Sequence, residues 1–376
     1  MSSRAFVVAA ILLLSTLCAV NFAGDHYFAK CHGDNRADRF VDAELSCSQA
    51  VKWAGWLEWL SPGRYTRALG EAGVAELMAT HLAPSREHLQ QALDRYEAMG
   101  LGDSPERATV MDYFAILNWH EAKLIEGEQW ARRAVEMFDR QGFPCNASRL
   151  DAIFNVALFM KSNLDNAGAL AYLEAKKASI LQCTDQAMSI GVFWRGLGDM
   201  QEANSQSKAA LESFDMAIAS FEEAGGADAV QNAFALVSRA NLYNEMRKLD
   251  LARADINAAL PILEAGVGPR SEPYALALTT RADSFRLEKR LPEALEEYAK
   301  AERILAEVFG KRHPRYADVL RDQAGVLYDA GNGAQALAKF QEALSICIEN
   351  FGEKDERTEA VRSEIGVVQR QYGKPG

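Results

Sequence analysis

Small and large apolar residues recur through the second half of the chain at one fixed interval. Ala210, Ala252, Ala294 and Ala336 follow one another 42 residues apart, and four positions after each stands a large side chain: Phe214, Ile256, Tyr298 and Phe340. Ala217, Ala259, Ala301 and Ala343 come three positions later. Before the spacing alanines, again at matching offsets, lie Trp194, Leu236, Leu278 and Leu320, then Gly198, Ala240, Ala282 and Ala324. Small residues at fixed places mark close helix crossings, and the large neighbours fill the core beside them. Offsets of three and four are helical, and no alternating stretch predicts a strand. The pattern predicts stacked helical hairpins over residues 190–353.

Earlier hairpins follow the same logic with looser spacing. Ala92 and Tyr96 share a helix in the small-then-aromatic relation. Ser104-Pro105-Glu106 reads as a helix start, because serine caps and proline is tolerated at the first helical position. Leu150 to Lys161 and Asn166 to Leu181 form a further pair, whose Ala169 precedes Ala210 by 41 residues. Pro261 falls inside a second helix and predicts a kink or an early end, since an unrelaxed interior proline costs about 3 kcal/mol. Residues 24–60 leave the pattern. Their helix-like run from Phe40 to Leu60 carries Trp53, Trp56, Trp59 and Leu60, and reads as a cap docked on the first hairpin, because a solenoid end has no neighbour. An aromatic binding face or a membrane-interface belt is the alternative. A final helix from about Asp355 to Tyr372 reads as the opposite cap. The expected divisions are thus 1–23, 24–60, a degenerate hairpin region 61–189, four regular hairpins 190–353, and a cap with tail 354–376.

Composition adds compartment and partner class. The chain has 376 residues, 49% hydrophobic and 25% charged, an ordinary globular balance. Its net charge of −11 disfavours nucleic acid, which recruits basic surfaces. Arg4 precedes an uncharged apolar run from Ala5 to Val20, the layout of an export signal, with cleavage expected after Cys18 or Ala23. The same run, taken through Ala23, is long enough to be retained as an anchor. Export places the remaining cysteines in an oxidising compartment. Cys31 and Cys47 are expected to pair, closing a loop that stabilises by roughly 3 kcal/mol. Cys145 and Cys183 form a second pair if their Cα atoms come within about 7 Å. Cys347 sits on a buried helical stripe and reads as an inert thiol. Cys31-His32 could attach a haem only as a single-cysteine variant, and Cys47 offers the simpler partner. No metal-ligand spacing, phosphate-cradling loop or nucleophile elbow occurs, so neither catalysis nor a cofactor is expected.

Trp194-x2-Leu197-Gly198 followed by Ala210, Phe214 and Ala217 resembles the tetratricopeptide (TPR) consensus. The longer period and Phe309-Gly310-Lys-Arg-His313-Pro314 resemble the kinesin-light-chain type of that repeat. Gln201 departs from it where an aromatic is usual, as do Arg239 and Arg281 where leucine is usual. The resemblance implies an all-α fold, a right-handed α-solenoid of about six to seven hairpins with capping helices. It also implies a non-catalytic scaffold whose first helices line a groove for a peptide or protein. Carried over by position, the groove residues are Arg195, Asp199, Asn241, Asn244, Asp283, Arg286, Asp318, Arg321 and Tyr328. Ser238, Leu276 and Thr280 stand where a two-carboxylate clamp needs lysine or asparagine, which excludes that mode. Ion pairs within and between repeats are the competing use of the same groups.

Overall fold

The computed structural model describes residues 20–35, 40–79, 81–143, 145–183, 187–225 and 230–372. Most of the apolar leader, Cys18 included, and the tail after Tyr372 lie outside the described residues. Every regular element described is a helix. Residues 20–35 form α1, followed by α2 (Phe40–Trp56), α3 (Pro62–Met78), α4 (Leu82–Ala98), α5 (Pro105–His120), α6 (Leu124–Arg140) and α7 (Ala147–Ser162). Then come α8 (Asn166–Ile180), α9 (Ala187–Ala203), α10 (Ser207–Glu223), α11 (Val230–Glu245), α12 (Leu249–Gly266), α13 (Glu272–Leu287), α14 (Leu291–Val308), α15 (Pro314–Asp329), α16 (Gly333–Phe351) and α17 (Glu356–Tyr372). The chain divides into two compact units, Met1–Phe159 and Met160–Gly376.

In unit 1, α3 packs on α4 and α5 on α6; in unit 2, the pairs are α9–α10, α11–α12, α13–α14 and α15–α16. The 42-residue register accounts for these crossings. Ala210, Ala252, Ala294 and Ala336 are fully buried, as are Phe214, Ile256 and Tyr298, with Phe340 at 5% exposure. Gly198 shows why the position must be small. A Cβ there would stand 2.6 Å from the Phe214 ring, so a larger residue separates α9 from α10.

The departures from consensus are compensated locally. Gln201 is buried and accepts a hydrogen bond from Ser213 Oγ at 2.7 Å. Arg239 forms a two-pronged pair with Asp255 at 2.7 and 2.8 Å, and Arg281 reaches Glu297 at 2.6 Å. Pro261 neither ends nor shortens α12, which runs on to Gly266. The Phe-Gly-x-x-His-Pro motif is a helix start. Phe309 stacks on His313 with centroids 4.3 Å apart, and the His313 ring accepts the Arg315 N–H ahead of α15. One repeat later Asp355 takes over, accepting the Arg357 N–H at 2.9 Å.

The repeat reaches further back than residue type indicates. Ala122, Leu164, Ser205, Arg247 and Lys289 hold left-handed φ values of 58–67°, and Gly331 one of 82°. Each sits in the turn inside a hairpin, 41 or 42 residues from the next. The residue after each donates back across the helix end in the same way, from Lys123 N–H to Asn118 O through to Asn332 N–H to Leu327 O. This is the double-bonded helix stop that usually employs glycine. Here the backbone keeps the register while the side chains drift.

The N-terminal segment holds two helices where one run was expected. Helix α1 crosses the boundary placed at residue 23, and α2 stops at Trp56, short of Leu60. Cys31 and Cys47 are joined by a disulfide with Cα atoms 4.7 Å apart, which leaves Cys31 no thiol for haem attachment. Both cysteines lie in an alanine-rich cluster with Ala43, Ala50, Ala54, Ala68, Ala72 and Ala75. Cys145 and Cys183 are each disulfide-bonded as well. Cys347 is a buried free thiol, its pKa pushed up by burial.

Candidate partner-binding wall

Helix contacts define which side of unit 2 is inner. Helix α9 touches α11 and α11 touches α13, whereas α10, α12 and α14 stand apart from one another. First helices crowd on the inside of a curve and second helices spread on its outside. At the far end, Arg357 of α17 donates to the carbonyl of Ser162 at 3.0 Å, so the last helix of this unit reaches the residues that open it.

Most of the nine positions taken from the repeat alignment are tied into this wall. Arg195 lies 3.4 Å from Asp199 on the same helix and over the Phe234 ring. Asn241 donates to Glu202 at 3.1 Å, linking α11 to α9. Asn244 is buried, donating to the Thr280 carbonyl at 3.0 Å and accepting from Ser284 at 2.8 Å. It is a buried rung between α11 and α13. Arg286 bonds Asp329 at 2.8 Å between α13 and α15, and its guanidinium lies across Gly325. Arg321 grips Glu364 of α17 with two bonds, at 2.6 and 3.0 Å, and the Tyr328 hydroxyl meets Gln371. Five successive first helices are thus laced together by the polar side chains that were candidates for binding. Such pairs are individually weak, about 0–1 kcal/mol when exposed, but they fix the wall's geometry.

Carboxylates break this rule. Asp283 accepts from the Tyr298 hydroxyl at 2.5 Å. Asp318 and Asp322, one helical turn apart on α15, form no side-chain hydrogen bond among the described residues. Burial raises the pKa of Asp283 and of Asp318, and pushes Asp322 up to about 7 with Asp283 and Asp318 adding repulsion. Asp318 is exposed on α15, with Arg315, Arg321 and Arg357 close enough to oppose the rise. Glu202 is raised to about 7 by burial and by Asp199 and Glu245. Leu276 stands 49% exposed on α13, in the register position of Asp318.

Asp322, Glu202 and Glu364 were not among the residues carried over from the repeat alignment. Asp322 adjoins Arg321, and only the spatial approach of Asp283 reveals it. No group of His, Cys, Asp and Glu among the described residues has the arrangement of a metal site.

The chain is an all-α, TPR-like helical-repeat protein. No family model matches it, and neither does any curated protein sequence. Solved structures do. A Rap protein complexed with Competence and Sporulation Factor aligns over 93% of this chain and 99% of its own, with TM-score 0.58 and 15% identity. The apo form of RapI aligns over 75% of this chain and 97% of its own, with TM-score 0.53 and 14% identity. The APC/C hetero-tetramer Cut9–Hcn1 gives TM-score 0.58 and 12% identity over 97% of this chain, which spans only 60% of that one. Likeness at such identities is likeness of fold.

Proposed function

We propose that the chain is an exported, non-catalytic scaffold. It holds a peptide or protein partner against the first helices of unit 2, and that partner brings cationic groups to Asp283, Asp318 and Asp322. The observation carrying this reading is the asymmetry of the wall: its arginines are hydrogen-bonded to the protein's own acids, while Asp318 and Asp322 on α15 have arginines near them and no side-chain hydrogen bond among the described residues. A lysine or arginine reaching this part of the wall relieves the repulsion that Asp283 and Asp318 exert on Asp322, and charge-assisted bonds of this kind are strong where water is scarce. The Rap structure complexed with Competence and Sporulation Factor supports the use of such a fold for holding a partner. Disulfide-bonded cysteines and the apolar leader support an oxidising, periplasmic or extracellular compartment.

Fluorescence anisotropy against arrays of basic, neutral and acidic peptides tests the wall. Basic peptides should bind best. The double variant Asp318→Asn with Asp322→Asn should weaken them at least about tenfold, roughly one lost charge-assisted bond, without loss of helicity. Equal capture of acidic peptides, or binding indifferent to both substitutions, would sink the reading. Arg195→Glu with Arg321→Glu is the weaker probe, because Arg321 also holds α17.

A further inference from the structure

Second helices of unit 2 stand apart, and the first helix between them floors the gap. Between α12 and α14 that gap is hollow. A cavity of about 260 Å³ is lined there by Arg253, Ile256, Asn257, Arg281, Phe285 and Glu297, with Ser284 and Glu288 beside them.

The 42-residue register explains the space. One repeat earlier, the positions of Arg253, Ser284 and Glu288 hold Leu211, Leu242 and Met246, which pack with Phe214 into an apolar plug. Ile256 stands in the place of Phe214 and is the smaller side chain. One repeat later, Leu295, Tyr298 and Val326 occupy three of the same positions and belong to the packed core. The seams on either side are filled with apolar side chains, and this one has lost them.

The same seam also lacks a carboxylate. Arg239 and Arg281 share a register position. Arg239 uses every nitrogen of its guanidinium, Nε and Nη2 on Asp255 and Nη1 on Asp215 at 2.7 Å. Arg281 reaches Glu297 through Nε at 3.2 Å and Nη2 at 2.6 Å. Its Nη1 makes no hydrogen bond among the described residues, and Asn257 stands where Asp215 stands one repeat before. Acids nearby are held by other cations: Glu288 by Arg253 and Arg290, and Glu296 by Lys300.

We propose that this cavity binds a small organic monocarboxylate with an aromatic or branched aliphatic body. The carboxylate takes the place of the Asp215 side chain, on Arg281 Nη1 and the Asn257 amide. The apolar body lies against Ile256 and Phe285, in the space that Leu211, Leu242 and Met246 fill one repeat earlier. The volume falls just under the roughly 300–1,000 Å³ of drug-sized pockets, which suits a small acid and not a peptide. None of the lining residues belongs to α15, so the proposal does not rest on the wall.

Calorimetry and saturation-transfer NMR on the full chain, with phenylacetate and isovalerate as probes, test this. Both acids should bind at one site per chain. Phenylacetamide, of the same shape but uncharged, should bind at least about tenfold more weakly, the loss expected for a hydrogen bond to a charged group. Asn257→Asp gives Arg281 the internal carboxylate it lacks and should weaken phenylacetate by a similar factor, while the melting midpoint holds or rises. Arg253→Leu with Glu288→Met refills the seam in the manner of the preceding repeat and should abolish binding. Failure of both acids to bind at millimolar concentration overturns the proposal. Equal affinity for phenylacetate and its amide, or binding unchanged by Asn257→Asp, overturns it too. Basic-peptide binding should persist in Asn257→Asp, so the cavity and the wall are tested separately.

Discussion

At the C-terminal end, α17 lays Val361, Ile365 and Val368 on the preceding hairpin and turns Glu356, Glu359, Gln369 and Arg370 to water. At the N-terminal end, α1 and α2 close on a core of alanines and a disulfide, and with the turn after them leave two tryptophans, a phenylalanine and two leucines uncovered. Both ends face the same physical problem, since a terminal hairpin has no neighbour to bury its face. One is solved by a helix with a polar outer side. The other has a covalent staple in place of a large apolar core, and large apolar side chains remain exposed on its outer surface. The difference teaches that capping a repeat array and presenting a surface are separable tasks.

The sharpest way to break this comparison is one apolar-to-polar change at each end. Val361→Asp buries an unpaired carboxylate and should cost about 4 kcal/mol, read as a lower midpoint in urea denaturation. Trp59→Ser should stay within about 0.5 kcal/mol, because its ring is already exposed. Equal losses at both ends would erase the distinction. Next in size, Cys31→Ser with Cys47→Ser should destabilise the N-terminal end by about 3 kcal/mol, for a loop of 16 residues. Limited proteolysis should then open α1 and α2 while fragments containing α15 to α17 persist.

A smaller effect separates the units by pH. Asp322 in unit 2 rises from 3.8 to about 7 on folding, so the folded state holds its proton longer than the unfolded chain. Its contribution is therefore full below about pH 4 and is lost as pH climbs through 7. Asp322→Asn should flatten the fall in stability between pH 5 and 8 by on the order of 1–2 kcal/mol, seen in the melting midpoint of unit 2. Asp112 in unit 1 behaves in the same sense, its pKa pushed to about 7 by burial despite hydrogen bonds from Asn155 at 3.0 and 3.1 Å. The substitution in unit 2 should leave that component untouched. Smallest of all, Leu164→Gly should stabilise by about 1 kcal/mol, because a left-handed φ of 67° strains any residue with a Cβ. Ala122→Gly should do the same in unit 1, and a gain in one unit only would mean the turns differ.

The hairpins from Trp194 to Phe351 were legible because alanine and large residues alternate where two helices must cross. Before Trp194 the register was hidden, since Ala122 and Leu164 keep it by backbone torsion, with no glycine to show it. Arg239 and Arg281 looked like lapses from a leucine position. Each is answered by an acid at the same offset on the partner helix, Asp255 or Glu297, and that offset could have been searched for. The placing of the wall residues on first helices was legible, and the contacts they make there were not. Arg321 and Asn244 stand on first helices as expected, yet their partners come from the neighbouring repeat, and a one-dimensional pattern does not say which contacts are already made. Asp322 became visible only through Asp283, one repeat away. Helix α1 was missed because an apolar leader suggests a segment to be discarded, and the packing of Val20 and Asn21 cannot be inferred from apolar character alone.

The recurring left-handed turn makes length in this molecule a counted quantity. A cut after Arg247 and another after Lys289 fall at matching torsions, 58° and 65°, so the chain could be rejoined there with one hairpin removed and no new kind of joint created. Duplication at the same points would add a hairpin as cleanly. An insertion of one or two residues inside a helix would rotate the alanines beyond it in that helix away from their crossing. Change in such a chain comes in whole steps, and each step lengthens or shortens the reach of the wall by one rung.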